Sequence, residues 1–468
     1  MTNQEIVSKL WNFCSILWHD GISYTEYVNE LTYILFIKMA KETDNEDNIP
    51  QEYRWDTLIS LPNSQELFQR YKELLSNVSI DGKGIVKEIY KDADTKIRRP
   101  DNLELLVTGI DKLDWFSAKE EGLGNLYEGL LQKNSIESKA GAGQYFTPRP
   151  LIDLMVRILD PKPDEECSDP ACGTFGFMVS SFRYVYEKSN HHKKLNKKQI
   201  KFQTKKAFSG VELVPDTRRL ALMNAYLHGM ESEILLGDTL SPMGATLEQK
   251  DVFFANPPFG TVKPTREDFP STTNNKQLNF LQHIYLSLKT HGKARAAVIL
   301  PDPVLSDNEG EEIRKNLMEN CTLHSVLHLP TGIFYAQGVK TSVLFFTRCK
   351  KKSKRNTKEV WFYDMRSKMP SFGKRTPLRD KHFEDFEIIY NTKKRNNIQN
   401  ERFVSVSKKE IEEKNYSLDF GLKLNGNAMD EEELAEPEIV AENILDSLET
   451  ATLHIRKILN ELEKIDND

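Results

Sequence analysis

Residues 252–260 read Val-Phe-Phe-Ala-Asn-Pro-Pro-Phe-Gly, an apolar run that ends in a rigid turn. The apolar run predicts a buried strand, and the turn puts Asn256 at its carboxyl end, where open α/β sheets hold their ligands. Pro257 and Pro258 fix two successive φ angles and carry no N–H, so the local carbonyl groups can face a ligand. The Asn256 amide oxygen and a bare carbonyl can accept two N–H bonds from an amino group. The ring of Phe259 can stack on the flat ring that carries that amino group. Taken alone the pattern is moderately specific, because many strands end in a proline-rich turn.

A glycine-containing loop lies upstream of this turn. Residues 167–177 read Cys-Ser-Asp-Pro-Ala-Cys-Gly-Thr-Phe-Gly-Phe and lead into an apolar stretch that predicts a helix. A loop of this kind between a strand and a helix lets a ligand approach the backbone and leaves helix N–H groups available to bind it. In isolation it is more often a tight strand-to-helix turn, so its neighbours in the sequence decide its meaning.

Two acidic residues follow two further predicted strands. Gly210-Val211-Glu212-Leu213 ends one of them with a carboxylate that can hold ribose hydroxyls. Leu235-Leu236-Gly237-Asp238-Thr239 ends the other, and Asp238 is placed to accept from an adenine amino group. An acid or a glycine loop at each strand end, in this chain order, predicts a single ligand crevice.

The order of these motifs resembles that of S-adenosylmethionine-dependent methyltransferases. Asn-Pro-Pro-Phe resembles the catalytic motif of the enzymes that methylate the exocyclic N6 of adenine in DNA. Residues 141–150, Gly-Ala-Gly-Gln-Tyr-Phe-Thr-Pro-Arg-Pro, narrow the resemblance to the modification (methylase) subunit of type I restriction-modification systems. The likeness extends over most of the chain and includes residues 10–31, 126–131, 329–335 and 338–343.

The resemblance implies a fold, a set of site residues and a set of partners. The fold is α/β, a Rossmann-like S-adenosylmethionine-dependent methyltransferase domain with an N-terminal α-helical domain and a C-terminal helical tail. The catalytic residues are Asn256, Pro257, Pro258 and Phe259. The residues that bind S-adenosyl-L-methionine are Gln144, Tyr145, Phe146, Thr147, Pro148, Arg149, Asp169, Gly173, Thr174, Phe175, Gly176, Glu212 and Asp238. The partners are double-stranded DNA, a specificity subunit, a second copy of the chain and a restriction subunit.

The implied chemistry explains why an amide is needed. The N6 amino group of adenine is a poor nucleophile, because its lone pair is delocalised into the ring. The side-chain oxygen of Asn256 and the carbonyl of Pro257 would draw its two hydrogens toward tetrahedral geometry and stabilise the developing positive charge. A stacked adenine cannot reach such a site, so base flipping is implied, with Phe259 as the ring that receives the base.

One residue departs from the family pattern. Family members usually carry glycine or alanine where this chain has Phe175, between the intact Gly173 and Gly176. The large ring either crowds the methionine part of the cofactor or points away into the seam between sheet and helix.

Composition sets broad limits. The chain has 468 residues, which predicts two or three domains, and it is 39% hydrophobic and 29% charged. No apolar stretch is long enough to span a bilayer, and the scattered cysteines fit reduced thiols in a cytoplasmic protein rather than a metal site. The net charge of −6 fits a subunit that holds DNA only together with partners. Lysine-rich runs at 193–206 and 350–355 indicate solvated loops at least as readily as phosphate contacts.

Periodicity divides the chain into three parts. Residues 1–135 show helical spacing of apolar residues and predict an α-helical domain. Residues 136–425 form the catalytic domain, in which apolar runs such as 296–300, 343–346 and 360–363 predict a mostly parallel sheet covered on both faces. Near the start of this domain, Gly141 to Gly143 predict a hinge that delivers residues 144–148 to it. After residue 365 we expect loops and one helix.

Residues 426–468 carry the clearest periodic pattern. The apolar residues of a heptad seam recur at spacings of four and three, namely Ile444, Leu448, Ala451, Ile455, Ile458, Leu462 and Ile465. A terminal helix folded on its own domain would show a similar stripe. The acidic, linker-like stretch before the seam favours docking of a partner.

Two other functions remain open from the sequence alone. Protein-glutamine N5-methyltransferases also use an Asn-Pro-Pro-aromatic turn, although they more often carry tyrosine after the prolines and lack the long helical front. Alternatively, the chain is a cofactor-binding assembly subunit that has lost methylation, with Phe175 as the damage. Binding of S-adenosylmethionine, and methylation of DNA against a release-factor peptide, separate these functions.

Overall fold

The front of the chain is helical, and the first β-strand among the described residues begins at Cys167. The computed structural model describes residues 2–18, 20–137, 147–262, 265–334, 340–350, 357–366, 369–370, 372, 376–392 and 400–420. Gln144, Tyr145, Phe146, the predicted glycine hinge and the heptad seam lie outside the described residues.

The front helices are α1 Asn3–Asn12, α2 Cys14–Trp18, α3 Tyr24–Glu42, α4 Trp55–Ile59, α5 Ser64–Asp81, α6 Ile85–Ile89, α7 Pro100–Asp111, α8 Trp115–Glu121 and α9 Leu123–Glu137. Four of them, α1, α3, α5 and α8, begin at a residue whose side chain accepts from a backbone N–H of the first turn. Ser23 starts the long third helix, since its hydroxyl accepts from the backbone N–H of Glu26 while the Glu26 carboxylate accepts from the N–H of Ser23.

The catalytic part is built on one mixed sheet. Its strands are β1 Cys167–Asp169, β2 Phe208–Glu212, β3 Glu233–Leu236, β4 Val252–Ala255, β5 Arg295–Pro301, β6 Cys321–His328, β7 Thr341–Arg348, β8 Glu359–Asp364 and β9 Phe403–Ser407. Their spatial order is β3-β2-β1-β4-β5-β7-β6-β8-β9. Strands β3, β2, β1, β4 and β5 run parallel, whereas β7 is antiparallel to both of its neighbours and β9 is antiparallel to β8.

Helices cover both faces of this sheet. They are α10 Arg149–Leu159, α11 Gly176–Lys188, α12 Lys197–Lys205, α13 Pro215–Leu227, α14 Pro242–Ala245, α15 Lys276–Ser287, α16 Asp302–Ser306, α17 Glu311–Asn320, α18 Glu384–Asn391 and α19 Lys408–Glu413. Alternate residues of β4 enter two separate core clusters: Val252 and Phe254 pack on one face, and Phe253 and Ala255 pack on the other. The α/β fold class predicted from the sequence is therefore confirmed.

The front helices share a core with one face of the sheet. That cluster runs continuously from α1 through α10 and α11 to β4 and β5. At the junction, Arg219 of α13 donates to the backbone carbonyls of Ile89 and Lys91, and Arg218 pairs with Glu88. The helical front is thus fixed against the helices that border the carboxyl ends of the strands.

The sequence analysis did not predict strands β6 and β9, and its expectation for the chain beyond residue 365 was wrong. Strand β6 alternates buried and partly buried residues at its start and carries a register shift between Leu323 and Ser325, so it lacks the apolar run of its neighbours. Strand β9 is an edge strand in which Val406 is the buried position. Beyond residue 365, the described residues alone contain this strand and the two helices α18 and α19, which is more regular structure than the loops and one helix that the sequence predicted.

Candidate functional site

A cavity of about 470 Å³ opens at the carboxyl ends of β1 to β4. Parallel strands bring their carboxyl ends to one edge of the sheet, and the loops that follow them line the cavity. The predicted residues that it brings together are Thr147, Asp169, Gly173, Thr174, Gly176, Glu212, Asp238, Asn256, Pro257, Pro258 and Phe259. Pro148, Arg149 and Phe175 do not line it.

The loop after β1 is shaped by its glycine and by two hydrogen bonds. Gly173 has a φ of +52°, and a Cβ placed there would meet no atom within 4 Å, so its backbone borders open space. Its N–H donates to the Glu212 carboxylate at 3.0 Å. The side-chain amide of Asn224 donates to the carbonyl of Thr174 at 2.9 Å. The loop is therefore held in place before any ligand arrives.

Phe175 points away from the cavity. Its side chain is fully buried, and a Cβ added to Gly210 of β2 would lie 3.0 Å from its ring. The ring thus fills the seam between β2 and α11, which is the second of the two alternatives left open by the sequence. Its φ of +70° is unfavourable for a residue with a Cβ by roughly 1–2 kcal/mol, and burial of the aromatic ring offsets that cost.

Two buried carboxyl groups each accept from an N–H of this loop, Asp169 from Ala171 and Glu212 from Gly173. Burial raises the pKa of Asp169 to about 8; a hydrogen bond from the N–H of Ala171 opposes the rise, and the charge of Glu212 adds to it. Burial also raises the pKa of Glu212, against bonds from the N–H groups of Val214, Gly173 and Leu213. A cationic ligand, or one rich in donors, would relieve both groups.

The β3 loop is tied to the β1 loop. Asp238 accepts from the N–H of Leu240 at 2.8 Å, which fixes the direction of its carboxylate. The hydroxyl of Thr239 donates to the carbonyl of Pro170 at 2.7 Å, and the guanidinium of Arg266 donates to the carbonyl of Thr239 at 3.0 Å. The acidic side of the cavity is therefore a connected, hydrogen-bonded wall.

The Asn-Pro-Pro-Phe turn forms the other side. The amide nitrogen of Asn256 donates to the hydroxyl of Thr147 at 2.9 Å. Val262, Lys276 and Phe280 complete this side, beside Phe259. Lys276 is the one lysine or arginine among the described residues that line the cavity, and its backbone N–H donates to the carbonyl of Gly260, which places the start of α15 beside the turn.

Arg149 is held outside the cavity. It pairs with Glu128 of α9 and with Asp153 of α10, in the latter case at 3.3 Å. Pro148 caps the amino end of α10. The resemblance assigns cofactor contacts to Pro148, Arg149 and Phe175, but none of the three lines the cavity. Thr147 does line it.

Sequence reasoning missed several lining residues. They are Leu131, Asn134, Ile152, Leu213, Val214, Thr217, Leu220, Leu240, Val262, Lys276 and Phe280, among others. Leu213 had a signal, since it stands directly after the predicted ribose acid at the end of a predicted strand. No feature of the sequence marked Leu131 and Asn134, because they reach the cavity only through the docking of α9.

Other predicted features lie away from the cavity. The lysine run at 193–206 is exposed and leads into the amino end of β2, at the sheet edge opposite the cavity. Within the described ranges, no group of His, Cys, Asp and Glu side chains is arranged to hold a metal ion. No described helix combines the length and apolar character that crossing a bilayer requires. Four of the five free cysteines are buried.

Comparison with known proteins gives concordant results. Residues 118–432 match the family model described as N-6 DNA Methylase, and residues 6–110 match the HsdM N-terminal domain. The chain is 47% identical over 408 residues to the type I restriction enzyme StySPI methylase subunit of Salmonella potsdam, which covers 83% of this chain and 77% of that relative.

Solved structures agree. The crystal structure of the EcoKI M protein, a type I restriction enzyme component, is 36% identical with a TM-score of 0.54, over 98% of this chain and 96% of that one. A chain from a structure titled for complex assembly and conformational transition of the type I R-M system is 26% identical with a TM-score of 0.76, over 99% of both chains.

Proposed function

The chain belongs to the modification (methylase) subunits of type I restriction-modification systems, and on that premise we propose that it methylates the N6 of an adenine flipped out of duplex DNA, at a sequence chosen by a separate specificity subunit. The chain is an S-adenosylmethionine-dependent N6-adenine DNA methyltransferase. One observation carries the finer proposal. A single cavity joins an acidic half to a half made by Asn-Pro-Pro-Phe.

The acidic half fits S-adenosyl-L-methionine. When bound, the cofactor supplies a methyl carbon that its sulfonium group activates. Glu212 would hold the two ribose hydroxyls, and Asp238 would accept from the adenine amino group. The loop from Asp169 to Gly176 would hold the methionine part, with its open backbone at Gly173 and the buried carboxyl of Asp169 near the ammonium group. Gln144, Tyr145, Phe146, Thr147, Pro148, Arg149 and Phe175 remain proposed contributors to cofactor binding.

Asn256 and Pro257 would act as the hydrogen-bond acceptors for the target amino group. The side-chain oxygen of Asn256 and the carbonyl of Pro257 each accept one hydrogen of the adenine amino group. Both acceptors stabilise positive charge on that nitrogen as it attacks, so no charged base is needed at this step. Pro258 keeps the turn rigid, and the remaining requirement is in-line alignment of the reacting atoms.

Phe259 and Lys276 would hold the DNA. Phe259 lines the target half beside Phe280 and offers a ring on which the flipped base stacks. Lys276 is partly buried and lies at the same side, where the phosphates next to a flipped nucleotide would pass. Acidic side chains after β1 to β3 and a lysine beside the turn would suit a cationic cofactor and an anionic strand.

The two alternative functions are less well supported. Family membership favours DNA over a glutamine side chain as the substrate. Phe175 lies in the seam between β2 and α11, so it does not obstruct the cavity in the way that a loss of methylation would require.

Assembly completes the proposal. Two copies of the chain would embrace one specificity subunit in the cytoplasm, and a restriction subunit can join them. The catalytic domain would span residues 136–425 behind the helical residues 1–135. The tail at 426–468 would dock the specificity subunit through its heptad seam.

Replacement of Asn256 tests the catalytic assignment. Asn256→Ala, copurified with the specificity subunit, should lose methyl transfer to DNA and bind S-adenosylmethionine as the wild type does, since the residue acts on the target. Asn320→Ala, at an exposed position at the end of α17, is the matched control and should keep full activity. A fully active Asn256→Ala complex would refute the assignment.

A further inference from the structure

A buried arginine bonds to the loop that carries Asp238. The Nη1 group of Arg266 donates to the backbone carbonyl of Thr239 at 3.0 Å, and Thr239 directly follows Asp238. Arg266 does not line the cavity, and it belongs to the segment that follows the Asn-Pro-Pro-Phe turn. The target side of the site therefore supplies a hydrogen-bond donor to the loop on the cofactor side.

The guanidinium group lies in a closely fitted slot. A Cβ added to Gly244 of α14 would lie 1.9 Å from the carbonyl oxygen of Thr239 and 2.5 Å from Nη1 of Arg266, so a glycine is needed there. On another side, the guanidinium carbon lies 4.5 Å from the centre of the Phe269 ring. Close packing around a buried side chain fixes where its donors point.

The charge of Arg266 is balanced by a residue other than Asp238. Nε and Nη2 of Arg266 donate to the Asp268 carboxylate at 2.6 and 2.5 Å. Nη1 also contacts Nδ1 of His283 at 3.2 Å, and burial together with the charge of Arg266 lowers the pKa of that histidine to about 3. His283 is therefore neutral at pH 7, and a neutral imidazole can accept this N–H bond. Arg266 thus acts on the loop after β3 through a backbone carbonyl and leaves the Asp238 carboxylate to a ligand.

The loop after β3 is a tight turn with two outside contacts. Within it, the N–H and the hydroxyl of Ser241 both donate to the Asp238 carbonyl, at 3.0 and 2.6 Å. Outside it, the Thr239 hydroxyl donates to the carbonyl of Pro170, and the Thr239 carbonyl accepts from Arg266. Because the Asp238 carboxylate is bonded to a backbone N–H of the same turn, the position of the turn sets the position of the carboxylate.

We propose that Arg266 is a positioning residue that holds Asp238 where its carboxylate accepts from the adenine amino group of the cofactor. This inference rests on the proposed function, since it takes Asp238 as the acceptor for that amino group. A hydrogen bond weakens steeply when its donor and acceptor are misaligned. Loss of Arg266 should therefore weaken recognition of the amino group, while the cofactor contacts proposed for Glu212 and the β1 loop remain.

The test compares two ligands that differ only in this amino group. They are S-adenosylhomocysteine and its purine analogue, in which a hydrogen atom replaces the 6-amino group. In calorimetric titrations of the complex with the specificity subunit, the wild type should prefer S-adenosylhomocysteine by roughly tenfold to a hundredfold, the range for a hydrogen bond to a charged group. Arg266→Met, which removes every N–H donor, should lower that preference to about threefold or less and bind the purine analogue about as well as the wild type does.

Arg314 provides a matched control for the loss of a buried guanidinium group. It is 1% exposed and donates to the backbone carbonyls of Val304, Asp307 and Tyr416, none of which lines the cavity. Arg314→Met should lower the melting temperature and keep the wild-type preference between the two ligands. Arg266→Gln, with a shorter amide in place of the guanidinium group, is the second variant should Arg266→Met not assemble.

Each result decides the inference. A preference lost in Arg266→Met and kept in Arg314→Met supports it. A preference that survives in Arg266→Met, with or without weaker binding of both ligands, overturns it, as does an equal loss in Arg314→Met. Asp238→Ala, measured in parallel, separates the two levels. If Asp238→Ala keeps the preference, the role of Asp238 in the proposed function fails; if Asp238→Ala loses it while Arg266→Met keeps it, only the positioning role fails.

Discussion

Replacing Asp169 by asparagine should weaken cofactor binding and stabilise the cofactor-free chain. Asp169 is 2% exposed at the end of β1, and its burial, together with the nearby charge of Glu212, raises its pKa to about 8. At neutral pH the cofactor-free carboxyl is therefore mostly protonated. The ammonium group of the cofactor can therefore form an ion pair with Asp169 only when this carboxyl has lost its proton.

The size of the effect follows from that pKa. With a pKa of about 8, about 1% of Asp169 is ionised at pH 6 and about 9% at pH 7. If only the carboxylate pairs with the cofactor, affinity should rise close to tenfold over this unit of pH. The range stops at pH 7, because α-amino groups such as that of the cofactor begin to lose their proton near pH 8.

As the pH rises, the free energy of unfolding of the cofactor-free chain should fall, whereas the affinity for the cofactor should rise. Folding raises this pKa above its ordinary value of about 3.9, so the stability that Asp169 contributes is complete below about pH 4 and is lost as pH rises toward 8. At pH 7 a neutral asparagine removes this loss. Asp169→Asn should therefore raise the melting temperature of the cofactor-free chain at pH 7, by an amount that shrinks as the pH is lowered.

The assay is calorimetric titration of S-adenosylmethionine in steps of about half a pH unit, from about pH 6 to about pH 7. Thermal melts are recorded on the same samples. The wild type should bind more tightly at each step, and Asp169→Asn should bind weakly with little pH dependence. Asp47→Asn, at an exposed position of the helical front, is the control. Glu212→Gln removes the like charge and should lower the pKa of Asp169. A wild-type affinity that is flat between pH 6 and 7 would refute the reasoning.

Three further predictions concern the DNA and the partner. Phe259→Ala should weaken retention of the flipped base by roughly 1–3 kcal/mol; 2-aminopurine at the target position should fluoresce less in that complex, and an unchanged signal contradicts stacking. Lys276→Gln should weaken DNA binding and reduce the salt slope by about one, while Lys276→Arg retains both, if the ammonium group meets a phosphate. Truncation after Pro437, or Asp at Ile455 and Ile458, should leave a folded, cofactor-binding chain that no longer copurifies with the specificity subunit. A lower melting temperature with the partner retained would instead show a tail packed on its own domain.

The candidate site was predictable where it depends on strand ends. Asn256, Glu212 and Asp238 each follow a short apolar run, and parallel pairing brings all such ends to one edge of the sheet. A motif and a strand pattern are both local in sequence, so the residues could be assigned to one crevice without knowledge of the tertiary fold.

The remainder depends on packing that local sequence does not encode. The ring of Phe175 could face either way until its contact with Gly210 was known. Arg149 pairs with Glu128 because α9 docks beside α10, and the same docking brings Leu131 to the cavity. Strand β6 was missed because polar residues and a register shift interrupt its apolar pattern.

The central claim is that this chain, together with its specificity subunit, methylates adenine N6 through Asn256. The most direct measurement is sequencing that reports N6-methyladenine in the DNA of a methylation-deficient host expressing both subunits. The wild-type pair should modify adenines within one recurring sequence, and the Asn256→Ala pair, assembled and able to bind the cofactor, should modify none. Equal modification by both pairs, or unmodified DNA from an assembled, cofactor-binding wild-type pair, would contradict the claim.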